Sequence, residues 1–165
     1  MPSEFSYASF ANYSPRGVSE PSKRSQRITG ALKAGRISQI ERMIPRLSEP
    51  AAAHLGPFLN AAVTLVPVPR STPIKEDALW PSKVIADVLL QAGYGASVTA
   101  LIQRISPVQK SAFAAAGQRP LVPEHKASLQ VQTDLLHPEQ ITLIDCAHRG
   151  GADKDSNLTR TTIPI

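Results

Sequence analysis

A carboxylate at the end of an apolar run, with two glycines a few residues behind it, is the arrangement in this chain best suited to chemistry. Ile141, Thr142, Leu143 and Ile144 lead into Asp145, and Gly150 and Gly151 follow. Such a run reads as a buried parallel strand that delivers an acid to the rim of a sheet. The carboxylate can accept hydrogen bonds from ribose hydroxyls, and a glycine-bearing turn can aim backbone N–H groups at a phosphate. Two further segments belong at the same rim. Arg70, Ser71 and Lys75 lie in a loop after an earlier strand, where cations suit a pyrophosphate. Gln109, Lys110 and Arg119 lie on a long connection of the kind that forms lids. The plainer reading of the Arg70 loop is a surface loop with ordinary charges, that of the connection carrying Gln109, Lys110 and Arg119 is a solvated helical hairpin, and a strand that ends in Asp is by itself a weak signal.

The elements that must position these residues alternate between strand and helix. Residues 1–20 read as an irregular lead-in without a period. Ser22 or Ser25 can cap a helix that carries Ile28 and Leu32. Gly35 should break it from a second helix with Ile37, Ile40, Met43, Ile44 and Leu47, which Pro45 weakens. Residues 50–57 suit a short helix or turn. Residues 63–69 form a strand that ends in prolines and must emerge into a loop. A helix follows, with Pro81 in its first turn, Ile85, Val88 and Leu89 inward, and Gly93 and Gly95 at its end. Residues 97–104 and 127–131 are two more strand candidates, before the strand at 141–145. This alternation implies an α/β fold built on a parallel sheet. Strands 63–68 and 141–145, apolar on both faces, should be neighbours at its centre, with the helix at 79–92 over one face.

Composition bounds the possibilities. A chain of 165 residues with 42% hydrophobic content supports one modest core. Only 5% is aromatic, so that core rests on Ala, Val, Leu and Ile. No apolar run reaches the length of a membrane span, and the first residues lack the plan of a signal peptide. One cysteine excludes an internal disulfide, so a cytoplasmic, reducing setting is expected. The net charge of +5 resides in residues 1–47, where Arg16, Lys23, Arg24, Arg27, Lys33, Arg36, Arg42 and Arg46 face only Glu4, Glu20 and Glu41. A basic region of this kind suits nucleic acid or a phosphorylated ligand. No aromatics are interleaved for base stacking, which favours a simple solvated helix face. Cys146, His148 and His137 are too few and too irregular for a metal site. Trp80, Tyr13 and Tyr94 read as packing residues.

Several segments, in order, resemble a type I phosphoribosyltransferase, most closely the ComF-like competence-protein branch. Tyr13 and the run Gly30, Ala31, Leu32, Lys33, Ala34, Gly35 resemble its N-terminal tyrosine and leucine-lysine-glycine helix end. Thr64, Leu65, Val66, Pro67, Val68 and Pro69 resemble its proline-valine-proline strand. Gly93 ends a helix where the branch has a glycine. Arg104, Gln109 and Arg119 resemble its spaced arginine, glutamine and arginine, and residues 141–145 resemble the strand that opens the phosphoribosyl pyrophosphate motif. The likeness covers roughly residues 10–145.

The resemblance implies a Rossmann-like domain over residues 21–145 that exchanges the pyrophosphate of phosphoribosyl pyrophosphate for a base, with magnesium carried by the substrate. Asp145 would be the catalytic residue, the first of the acids that hold the ribose hydroxyls; with the loop residues Arg70, Ser71 and Lys75 already read as pyrophosphate ligands, Gln109, Lys110, Arg119, Gly150 and Gly151 would bind substrate. The motif then departs from the family. Cys146 stands where a second acid is expected, Ala147 and His148 replace two apolar residues, and Arg149 and Asp153 replace two threonines. A carboxylate at 153 would repel a phosphate. Residues 146–165 are therefore expected to be a divergent, poorly ordered tail, out of register as a reading-frame shift after Asp145 would leave it. The expectation is a C-terminally truncated domain with impaired phosphoribosyl transfer and an unpaired sheet edge that favours a homodimer. The alternatives are a non-catalytic nucleotide sensor and a nucleic-acid-associated protein.

Overall fold

The computed structural model describes residues 7–10, 17–109, 120–132, 138–146 and 160–162. Strand β1 (Tyr7–Ser9) is followed by three helices, α1 (Glu20–Lys33), α2 (Ile37–Glu41) and α3 (Ile44–Leu47), and a 3-10 turn at Pro50–Leu55. Next come β2 (Thr64–Pro67), α4 (Pro81–Gln91), β3 (Ser97–Val98) and β4 (Ile102–Arg104). Helix α5 (Val122–Ala127), β5 (Leu129–Val131), β6 (Ile141–Ile144) and β7 (Arg160–Thr162) complete the order.

Helix α1 starts earlier than Ser22 or Ser25 would have it. Ser19 is the cap, its hydroxyl accepting from the Ser22 N–H at 3.4 Å, with Glu20 and Pro21 in the first turn. The acid complements the positive end of the helix, and proline there forfeits no bond. Ser25 and Thr29 are buried instead. The helix ends at Gly35, whose φ of 62° suits a residue without a side chain. A side-chain carbon at Gly35 would also come within 2.6 Å of Leu79 Cδ1, so the end of α1 lies against the entry to α4. Pro45 occupies the first turn of α3 and so helps to divide the second helical stretch in two.

The core lies where α4 packs on the parallel sheet β3-β2-β6. Val63, Leu65, Ala86, Leu89 and Ile144 form its buried cluster, with Ile85, Tyr94 and Val98 packed against it. All four residues of β2 are buried, as its central place requires. Strand β6 pairs with it in parallel, with Thr64 opposite Ile141 and Pro67 opposite Ile144. Tyr94 plays the packing part expected of it, and its hydroxyl also meets Ser48 Oγ at 2.9 Å.

Three expectations change. Strand β6 neighbours β2 as expected but lies at the edge of the three-stranded sheet. Its alternate residues divide between two faces. Ile144 enters the core, whereas Ile141 and Leu143 are 50% and 58% exposed. Residues 97–104 are not one strand. After β3 the chain bends at Thr99 and Leu101, and β4 leaves to pair antiparallel with β5 in a separate ribbon. The third strand candidate therefore does not join the parallel sheet, and α5 precedes it. Finally, strands occur within both terminal segments. β1 and β7 pair in parallel, with Tyr7 opposite Arg160 and Ser9 opposite Thr162. The sequence offers no periodic signal for a strand at 160–162. Thus the architecture is mixed α/β with a small parallel sheet at its centre.

Candidate functional site

Parallel pairing fixes which ends of β2 and β6 lie together. The Val68 N–H donates to the Ile144 carbonyl at 2.9 Å, continuing the ladder beyond β2. One residue further on, Asp145 leaves β6, and two residues beyond Val68, Arg70 leaves β2. Both are exposed, and both depart from the C-terminal rim. This is the rim where open α/β sheets bind ligands.

The loop from 70 to 79 is held from several sides. The Val68 carbonyl accepts from Trp80 Nε1 at 3.0 Å and from Ser82 Oγ at 2.6 Å, which seats the start of α4 against the end of β2. Trp80 is thus an anchor, as its sequence context suggested. Arg70 Nη1 donates to the Leu79 carbonyl at 2.9 Å, closing the loop on itself. The Ser71 carbonyl accepts from the Val108 N–H at 2.7 Å. Lys75 is exposed in a turn in which the Ala78 N–H returns to the Lys75 carbonyl at 3.1 Å. Asp77 in that turn has a φ of 60°, a left-handed conformation that aspartate tolerates better than most residues.

Asp145 accepts the Cys146 N–H through Oδ1 at 2.7 Å, a local bond that fixes the carboxylate beside its own backbone. The Cys146 thiol is pushed up, first by burial and next by the neighbouring Asp145 charge, while Lys33 pulls in the opposite direction. Lys33, at the end of α1, thus acts on the thiol through its charge. Lys33 was not among the site residues expected from the sequence, although it lies within the leucine-lysine-glycine helix end.

A neutral thiol at 146 cannot replace a second carboxylate. At neutral pH, thiol-directed reagents should modify Cys146 slowly, because the thiolate is the reactive form. The rate should climb only above the ordinary thiol range, and Asp145→Asn should raise it by removing the adjacent negative charge. The fold favours the protonated thiol, so its contribution to stability is complete below the unfolded thiol pKa and is lost as pH rises through the raised folded one. A reaction rate across the pH range that matches a free thiol would contradict this.

Gln109 is exposed on the edge of a cleft of about 310 Å³ between the start of the long connection and α5. Ser106, Pro107, Val108, Glu124 and Ser128 also line it, whereas Arg70, Lys75 and Asp145 do not. Lys110, Arg119, Gly150 and Gly151 lie outside the described residues. Arg104 links the cleft to the rim. Its Nε donates to the Arg70 carbonyl at 3.0 Å, and its Nη1 donates to Ser128 Oγ. Desolvation lowers the pKa of this guanidinium from its usual value. Among the described residues no group of three or more His, Cys, Asp or Glu side chains is placed to hold a metal ion.

The arrangement can present one exposed carboxylate, Asp145, to hydroxyl groups, and the exposed Arg70 and Lys75 of the neighbouring loop to an anion. Comparison of the chain with protein-family models, with curated proteins and with solved structures finds no match.

Proposed function

We propose that this chain is a phosphoribosyltransferase-like protein that takes phosphoribosyl pyrophosphate, or a nucleotide of related shape, at the C-terminal rim of its parallel sheet. The supporting observation is the parallel pairing of β2 with β6, which sends Arg70 and Asp145 out from the same rim. Asp145 would accept the ribose hydroxyls. Arg70, Ser71 and Lys75 would receive the pyrophosphate, with magnesium arriving on the substrate. The reacting sugar develops positive charge, so the protein's part is to hold the groups in line and stabilise charge as it moves. Transfer to a base is impaired, because Cys146 supplies a neutral thiol where the family resemblance calls for an acid.

Calorimetric titration with magnesium phosphoribosyl pyrophosphate tests this. Saturable binding in roughly the millimolar range, lost in Asp145→Asn and in Arg70→Ala, is the expected result. Binding that survives both substitutions would place the ligand elsewhere and end the proposal.

A second reading draws on the exposed cations of the N-terminal helices. Arg24, Arg36, Arg42 and Arg46 are exposed on or beside α1, α2 and α3. Lys23 and Arg27 share the same region but are neutralised in part by Glu20, at 3.1 and 4.0 Å. In this reading the helices meet a nucleic-acid backbone. Its signature is an affinity for single-stranded or duplex DNA that falls steeply with salt. An affinity indifferent to salt would exclude it. Among the described residues no helix is long and apolar enough to cross a membrane.

A further inference from the structure

Two separate parts of the molecule meet at Arg104. On one side is the loop from 70 to 79 at the rim of the parallel sheet, and on the other is the ribbon of β4 and β5. Arg104 Nε reaches the Arg70 carbonyl at 3.0 Å, while Nη1 of the same guanidinium reaches Ser128 Oγ. Ser128 is 3% exposed and is itself fixed, its hydroxyl donating to the His125 carbonyl at 2.7 Å. Two backbone bonds reinforce the junction. The Ile105 N–H donates to the Ser128 carbonyl at 2.9 Å, and the Val108 N–H donates to the Ser71 carbonyl at 2.7 Å. A planar guanidinium can make both side-chain contacts at once because its donors are held in a rigid fork.

We infer that Arg104 is a positioning residue, fixing the loop that carries Arg70 and Ser71 against the β4–β5 ribbon. The Arg70 backbone is gripped by Arg104, and its side chain is returned to the Leu79 carbonyl. The backbone from which this cation projects is therefore held from the ribbon. Arg104 gives its donors to the protein and acts through Arg70. A lysine at 104 would keep the positive charge but cannot span the Arg70 carbonyl and Ser128 together. The cleft beside Gln109 shares Ser128 and Val108 with this junction.

Hydrogen–deuterium exchange tests the inference without any ligand, in wild type, Arg104→Met, Arg104→Lys and Ser128→Ala. Both Arg104 variants should speed amide exchange across residues 70–79 by about tenfold, and Ser128→Ala by less, with β2 and α4 unchanged. Unchanged exchange at 70–79 in the Arg104 variants would overturn it. So would acceleration spread evenly over β2 and α4, which marks a general loss of stability. Ser128→Ala keeps the question open to test if an Arg104 variant fails to fold. A consequence for binding rests on the phosphoribosyl reading. Arg104→Lys should bind magnesium pyrophosphate about tenfold more weakly than wild type despite keeping its charge. Wild-type affinity in that variant would mean that charge alone matters and would overturn the positioning role. Failure of the wild type to bind would count against the phosphoribosyl reading, and loop exchange would still decide the role of Arg104.

Discussion

Truncating Leu65 to alanine should destabilise the fold by about 2–5 kcal/mol, the largest effect expected of any single substitution in the sheet. Leu65 is fully buried at the centre of β2 and belongs to the cluster with Ala86, Leu89 and Ile144. It also fills the space that Gly95 leaves open. A side-chain carbon at Gly95 would come within 2.8 Å of Leu65 Cγ and Cδ1. The cavity left by alanine is therefore walled by α4, β6 and the backbone at residue 95, and rigid walls collapse poorly. A small domain has about 5–15 kcal/mol to lose, so the variant should unfold at a much lower urea concentration. A midpoint within error of wild type would show that β2 is not the centre of the core. Because β2 ends at the rim, a folded remnant of this variant should also lose the placement of Arg70.

On the phosphoribosyl reading, binding of magnesium phosphoribosyl pyrophosphate should be roughly two to four powers of ten weaker than that of a phosphoribosyltransferase with an intact motif. Set against the motif of the family it resembles, the stretch after β6 has Cys146 in place of one acid and Arg149 and Asp153 in place of two threonines. Loss of even two charge-assisted or phosphate hydrogen bonds costs on the order of 3–6 kcal/mol. The structure adds a reason why the thiol cannot compensate. Burial and Asp145 both hold Cys146 in its neutral form. What remains is one exposed carboxylate and the cations of the rim, whose attraction is screened by water and salt. The predicted affinity therefore weakens further as ionic strength rises. Micromolar binding by the unaltered chain would show that other groups replace the missing contacts and that the impairment is not real.

The legible parts of this chain were those with strong local signals. Val63, Leu65 and Val66 in an unbroken apolar run marked a buried strand, and prolines marked where it must end. Gly35 and Pro81 marked a helix end and a helix start, and both occupy those places. The parallel partnership of β2 and β6 followed from two apolar runs separated by a helix. Less legible were features decided by tertiary surroundings. Ile141 and Leu143 look as buried as Leu65 in sequence, since local pattern cannot reveal whether a neighbour covers a face. Residues 97–104 look like one strand because nothing in their composition marks the bend at Thr99. The start of α5 was concealed because only one half of a capping arrangement is present. Glu124 returns to the Leu121 N–H at 2.5 Å, yet leucine offers no cap of its own. At the site, Arg70 and Asp145 could be assigned to one rim from topology alone. Arg104 reaches that region through a ribbon whose partners are distant in sequence.

The pairing of β1 with β7 also bears on the time course of assembly. Helix α4 and the turns around it join near neighbours, so they can form early, before the chain is compact. The β1–β7 ribbon joins segments from opposite ends of the chain, and closing so long a loop carries a large entropic cost. Only three residues on each side repay it. A two-stranded ribbon of this length has little stability of its own. Its support comes from the body already built, including the 3-10 turn, where His54 Nε2 lies 3.4 Å from the Ser9 carbonyl. The ribbon should accordingly close last in refolding and open first in unfolding, as a latch that registers completion of everything between its two strands.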